Sequence, residues 1–316
     1  MFSNKQTDAI VKIFAQGADM YENHRQAAPL LQEMAADINV LHDIIRYNLS
    51  QPDFLATRQT YTTLALNTLE TSDVSLVVNI FPSLPDRDTE MSFQSIHHHG
   101  YMLLTTAAAF GPGYKAITFK KGFKIDPGTC VTAMAKEKVY KNTDSKIDFI
   151  DAYTPHIVFY PEGISATYAL WSKNTKSDAS NKLKKIPLIL KFKKQLRRVV
   201  EVLHMEKVVG LARVEYFDFY PEKGKLLAMK ERIHYDPGAG TNDNFLRNMF
   251  HFIQKTGFND ESFLKNLLSK TTTPGNARIY INRLIQNEEI KDDFVPAFLN
   301  IPKVNLRLND VIAATD

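Results

Sequence analysis

Cysteine is almost absent from this 316-residue chain: Cys130 stands alone, so no internal disulfide framework exists and the usage suits a reducing cytosol. An excess of charge of either sign is lacking, with 39 Lys and Arg against 35 Asp and Glu. The formal net charge of +4 argues against a dedicated nucleic-acid binder, leaving only a local basic patch to consider. No run approaches the ~18 apolar residues of a membrane-spanning helix, and the opening MFSNKQTDAI has no apolar signal core. We therefore expect a cytoplasmic protein without a membrane segment. G-x-S-x-G, P-loop and G-x-G-x-x-G sequences are all missing, which removes the commonest hydrolase and nucleotide-binding signatures. With 44% apolar residues, material for a core is ample.

What is present falls into three textures. Residues 1–52 read as a helical segment, with apolar spacings of three and four in TDAIVKIFAQGADMY and again in APLLQEMAADINVLHDIIRYNL. Pro29 fits the first turn of the second of these helices. Residues 53–240 change to short runs rich in Val, Ile, Thr, Tyr and Phe: VSLVVNIF, MSFQSIHHH, YKAITF, DAYTPHIVFY, ISATYALW and GLARVEYFDFY. Turn signals such as FGPGY, KIDPGT and YPEG separate them. Many short strands at this spacing predict an antiparallel sandwich or barrel. Residues 241–316 return to helix, with a cap among Thr241, Asn242 and Asp243 and a stop at Gly257. These C-terminal helices either cover the barrel mouth or form a homodimer contact.

Three consecutive histidines, His97, His98 and His99, close one strand-like run, and His156 lies in another. A strand has period two, so His97 and His99 share a face and His98 points the other way. Two alternating imidazoles with a remote third are how a small β-barrel builds a three-histidine metal site. A shifted register would substitute His98 for a neighbour. Imidazole suits Fe, Cu, Ni and Zn, so the ligands alone do not name the ion.

The spacing resembles the cupin superfamily, whose first motif runs His-x-His, a short gap, Glu, then Gly. Here His97-His98-His99 is followed by GYML, by Leu104 where the Glu would stand, then by TTAAAF and Gly111; His156 supplies the remaining histidine. A three-histidine set without the carboxylate is similar to cysteine dioxygenase and related thiol dioxygenases over about residues 60–175. The resemblance implies a mainly β fold with α, a cupin-like antiparallel β-barrel (jelly roll) flanked by N- and C-terminal helices. It further implies one mononuclear divalent metal, Fe(II) before Zn, Ni or Cu, on His97, His99 and His156. The expected partners are a small organic substrate, thiol or anionic chelator, and O2.

The chain departs from that family at two places. Tyr61-Thr62-Thr63 stands where a substrate-binding arginine belongs, which leaves Arg58 and Arg87 as carboxylate partners, and nothing equivalent to the family's catalytic His and Tyr follows His156. Tyr101, Tyr168 and Trp171 are the residues expected to line the pocket or act on a bound oxygen species, Tyr101 because it keeps the parity of His99. Ser95 or Gln94, and Asp151 or Tyr153, are expected to orient the ligating rings. Phe110-Gly111-Pro112-Gly113-Tyr114 reads as a glycine-dependent turn or as a loop over the site. The lysines and arginines of 181–198 read as a solvated face, and His204, His234 and His251 as structural. Two other functions use the same ligands: a non-redox metal- or ligand-binding cupin, and a Zn- or Ni-dependent hydrolase or isomerase.

Overall fold

The computed structural model describes residues 1–51, 53–57, 64–82, 91–92, 96–142, 147–176, 215–222, 225–230, 241–291 and 306–315. The stretch 181–198, Arg58, Arg87, Tyr61-Thr62-Thr63, Gln94, Ser95, His204 and His234 lie outside these residues.

Three helices open the chain: α1 (Lys5–Gln16), α2 (Met20–Ala36) and α3 (Ile38–Ser50). Asn4 and Thr7 cap α1 reciprocally, and Asp19 caps α2 through the backbone N–H groups of Tyr21 and Glu22. Helix α2 therefore starts at Met20, ahead of the expected start at Ala28, and Pro29 sits inside it rather than in its first turn. The apparent long second helix is in fact two helices, because Asp37 ends α2 and caps α3 by accepting from the Asn39 N–H.

The β region contains β1 (Leu64–Glu70), β2 (Val74–Phe81), β3 (Met91–Ser92), β4 (Ile96–His98), β5 (Met102–Phe110), β6 (Lys115–Phe119) and β7 (Val131–Ala133). It continues with β8 (Lys136–Lys141), β9 (Ile147–Ile150), β10 (His156–Phe159), β11 (Ser165–Lys173), β12 (Glu215–Glu222) and β13 (Lys225–Lys230). One sheet has the order β1-β2-β11-β5-β9 and the other β7-β13-β12-β4-β10-β6-β8. All of these ladders are antiparallel.

The pairing is nested: β2 with β11, β4 with β10, β5 with β9, and β6 with β8. A hairpin ribbon whose successive pairs alternate between two sheets is a jelly roll, so the connectivity itself sets the fold class. Among the described residues no ladder joins the two sheets, so the expected barrel is an open two-sheet sandwich. A two-residue strand β14 (Leu306–Arg307) pairs with β3.

Strand parity sorts the side chains into layers. On β2, β5 and β11 the positions Leu76, Val78, Ile80, Leu103, Ala107, Ala166, Tyr168 and Leu170 face outward into one large apolar cluster. Helices α1–α3 contribute to this cluster, and so do α4 (Asn242–Lys255), α5 (Glu261–Ser269) and α6 (Gly275–Ile285). The helices after residue 241 thus build on the outside of the first sheet. Phe245 meets Phe54 edge-on, Phe252 meets Phe110, and Arg46 of α3 pairs with Asp260 at 2.9 Å. Thr241 caps α4, as its position suggested, and Gly257 follows α4 with φ +76°. Outside the second sheet, Leu308, Val311 and Ala314 of α7 (Leu308–Ala313) and its C-terminal edge pack on Ile96, Ile117, Ile157, Phe159 and Phe217. The inward positions of both sheets are left to form the site. Among the described residues no helix is long and apolar enough to cross a membrane.

Candidate metal centre

His97 and His156 are direct cross-strand partners in the β4–β10 ladder, and both face inward. His99 follows the last residue of β4 on the same side. Their ring centroids lie 4.4 Å (97–156), 4.8 Å (97–99) and 4.8 Å (99–156) apart. One ring nitrogen from each falls within 4.8 Å of the others, a set that can converge on a single ion. Short β4 and the residue that follows it supply two of the three because of period two; β10 supplies the third because the antiparallel register puts His156 opposite His97.

His98 lies on the opposite face. Its Nδ1 accepts from the Gly100 N–H at 3.1 Å, and its ring lies against Tyr153 and Phe217. The alternative register, with His98 as a ligand, is not the one adopted.

The electrostatics favour neutral, ligating imidazoles. Burial, followed by the neighbouring rings His156, His97 and His98, holds His99 well below the usual histidine range. Burial, reinforced by His97, pushes His156 down to about 3. Two adjacent imidazolium ions in this pocket would repel one another and lose hydration. The Nδ1 of His156 lies 3.0 Å from the Thr154 carbonyl, which accepts its proton and leaves the Nε2 lone pair free to bind a metal. The partner that fixes this tautomer is therefore a backbone carbonyl, where Asp151 or Tyr153 was expected. Asp151 is engaged elsewhere: it accepts from Tyr21 at 2.9 Å and from Lys121.

The three rings open onto a cavity of about 190 Å³ between the sheets. Asn79, Phe81, Leu104, Thr106, Ile150, Thr167 and Trp171 line it from the first sheet, and Tyr114 and Val158 join the histidines from the second. Leu104, at the place of the missing Glu, presents an apolar side chain to this cavity, and among the described residues the donor set is three neutral imidazoles with no carboxylate beside them. This set fits a divalent ion with open coordination positions.

The three residues expected to line the pocket or act on oxygen part company. Trp171 lines the cavity, its ring edge-to-face with His99 at 4.6 Å and 88°. Tyr168, three residues earlier, has the opposite parity and is buried in the outer, helix-covered cluster. Tyr101 loses the parity of His99 because Gly100 adopts φ +60° and turns the chain. It packs edge-on against Tyr153, 5.5 Å away, and does not line the cavity. The Tyr168 hydroxyl is buried without a hydrogen-bond partner among the described residues, which costs on the order of 1 kcal/mol. Tyr168→Phe is expected to raise stability by about 1 kcal/mol and leave metal affinity unchanged. A shifted urea midpoint at constant slope checks this.

Gly111-Pro112-Gly113 forms the β5–β6 turn, with φ +81° at Gly111 and +72° at Gly113, and the Gly113 N–H donates to Ser165 Oγ at 3.0 Å. The turn thereby delivers Tyr114 to the cavity wall. Sequence reading missed Asn79 and Thr167. Their signal was a polar residue at the inward parity of a strand whose neighbouring outward positions (Val78 and Ile80, Ala166 and Tyr168) lie in the apolar cluster.

No protein-family model matches the chain, and no curated protein matches it. The chain is similar in structure to cupin and double-stranded β-helix proteins. One is a cupin domain from Bordetella pertussis, with 9% identity, covering 36% of this chain and 97% of that one, at a TM-score of 0.22. Another is an RmlC-like cupin family protein from Methanocaldococcus jannaschii, with 10% identity, coverage of 37% and 90%, and a TM-score of 0.23. A protein with a double-stranded β-helix domain from Klebsiella pneumoniae has 13% identity, coverage of 39% and 88%, and a TM-score of 0.23. These matches span little more than a third of this chain. The fold class rests on the nested ladders described above.

Proposed function

We propose that this chain is a mononuclear metal-dependent oxygenase of the cupin type, with Fe(II) held by His97, His99 and His156. The observation that carries the reading is a cluster of three neutral imidazoles, one ring nitrogen of each within 4.8 Å of the others, at the wall of a cavity of about 190 Å³. When bound, such an ion supplies a template and Lewis acid on which a chelating substrate and O2 meet. The protein's own contribution is positional. Cross-strand pairing fixes His97 and His156, Thr154 fixes the tautomer, and Trp171 backs His99. Leu104, Ile150, Val158 and Phe81 give the cavity its apolar surface. A centre with three neutral ligands carries one more positive charge than the two-histidine, one-carboxylate arrangement, which favours an anionic donor atom such as thiolate or enolate.

Trp171 is the chain's one tryptophan, so it reports on this site alone. Anaerobic titration with Fe(II) or Co(II) is expected to quench its emission with a stoichiometry near one, and His99→Ala is expected to remove the quenching. Metal content of anaerobically purified protein, followed by nitric oxide addition, decides between chemistries. Iron with an iron-nitrosyl spectrum supports the oxygenase. Stoichiometric zinc transfers the site to water activation. A protein that neither contains nor takes up metal defeats the reading.

A further inference from the structure

We infer that Asn79 is the recognition residue for the end of a bound molecule that points away from the histidines, and that this end is an uncharged hydrogen-bonding group, a carboxamide or hydroxyl rather than a carboxylate. The inference rests on the metal reading above and narrows its substrate class.

Asn79 stands on β2 and lines the cavity from the sheet that faces His97 and His156. Two asparagines serve this wall, and they differ. Asn142 is fully buried and committed: its Nδ2 donates to Thr106 Oγ1 at 3.3 Å and its Oδ1 accepts from Thr167 Oγ1 at 3.1 Å. It fixes two cavity hydroxyls in place. Asn79 is the direct cross-strand neighbour of Thr167, yet its carboxamide makes no hydrogen bond among the described residues. Asn79 is half-buried, so its amide is free to exchange water for a ligand that supplies matching partners. Its donor and acceptor sit side by side, which matches a carboxamide in a two-bond pairing or a hydroxyl that both gives and takes a proton.

Charge points the same way. Apart from the three imidazoles, the described residues lining the cavity are hydroxyls, one carboxamide and apolar side chains. A carboxylate carried to the Asn79 side would lose its hydration and meet no cation among the described lining residues. The metal-bound end of a ligand has a different environment, because the ion supplies the countercharge. The site thus separates an anionic donor at the histidines from a neutral end at Asn79.

Two thiols of equal length test this: 3-mercaptopropanamide and 3-mercaptopropanoate, each titrated into anaerobic Co(II)-loaded protein and followed by the cobalt–thiolate absorption. The expected result is at least a tenfold preference for the amide, falling to within threefold in Asn79→Leu. Asn79→Ser serves as a second variant should the leucine protein fail to fold. The Co(II) spectrum and the quenched Trp171 emission verify that the variant still holds metal. Equal affinities, a preference for the carboxylate, no spectral response to the amide, or a preference that survives in Asn79→Leu would each overturn the inference while leaving the metal reading standing. Failure of the wild-type protein to bind Co(II) would remove the metal reading, and this inference with it.

Discussion

His156→Ala is expected to lower metal affinity by about a thousandfold or more, with His97→Ala and His99→Ala close behind. Loss of a residue that merely orients a ligand typically costs ~10–100-fold, so loss of one of three ligands exceeds that range. The cross-strand arrangement makes compensation difficult. His156 and His97 face each other across one ladder position, and β10 carries only apolar residues, Ile157, Val158 and Phe159, after His156. His98 is the informative control. It adjoins two ligands in sequence, but its Nδ1 accepts from Gly100 and its ring packs beside Phe217 on the outer face. His98→Ala should therefore keep metal affinity within about threefold of wild type while lowering thermal stability. Equilibrium dialysis at fixed pH, with melting followed separately, divides the two effects. Equal metal loss in His98→Ala and His99→Ala would refute the parity argument on which the site is built.

That parity was legible in the sequence because a strand leaves little freedom: alternate positions share a face, and three adjacent histidines must divide two to one. The β-rich middle and the helical ends were legible for the same reason, since apolar spacing differs between the two structures. Three things were not. The end of β4 was invisible, because His99-Gly100-Tyr101 reads as a continuing strand until Gly100 turns it at positive φ; Tyr101 was carried to the wrong place by that one residue. Tyr168 and Trp171 lie three apart, so a strand cannot aim both at the same cavity, yet each looked suitable alone. The orientation of His156 depends on the carbonyl of Thr154, and a backbone acceptor leaves no trace in side-chain identity. The helices after residue 241 had a clear apolar stripe, but amphipathicity names no partner; only the assembled cluster shows that they cover the outside of the first sheet.

Acidification is expected to cost this protein on the order of 3 kcal/mol between about pH 6.5 and pH 4 through one histidine outside the metal centre. His24 on α2 is buried between that helix and the first sheet, where its ring nitrogens meet Thr105 Oγ1 at 2.7 Å and Ser172 Oγ at 2.9 Å. Burial lowers its pKa to about 4. The unfolded chain holds this group near its ordinary ~6.5, so below that pH the unfolded state binds a proton that the folded state refuses. The stability contribution is fully present above pH 6.5 and fades as pH falls through the window to 4, at ~1.4 kcal/mol per pH unit per proton. Asp126, Asp151 and Asp260, whose carboxyls are held below their usual range, lose their contributions only at lower pH; His99 and His156, also held low by burial, act in the same window, so the comparison of wild type with a His24 variant isolates the His24 share. His24→Gln keeps an amide near both hydroxyls and has no charge to acquire. It should be less stable than wild type at pH 7.5, with a difference that shrinks steadily toward pH 4.5 in urea titrations. A difference that stays constant across that range would mean that His24 takes up its proton without unfolding. The junction of α2 with β5 and β11 would then be open to water, against the packing described above.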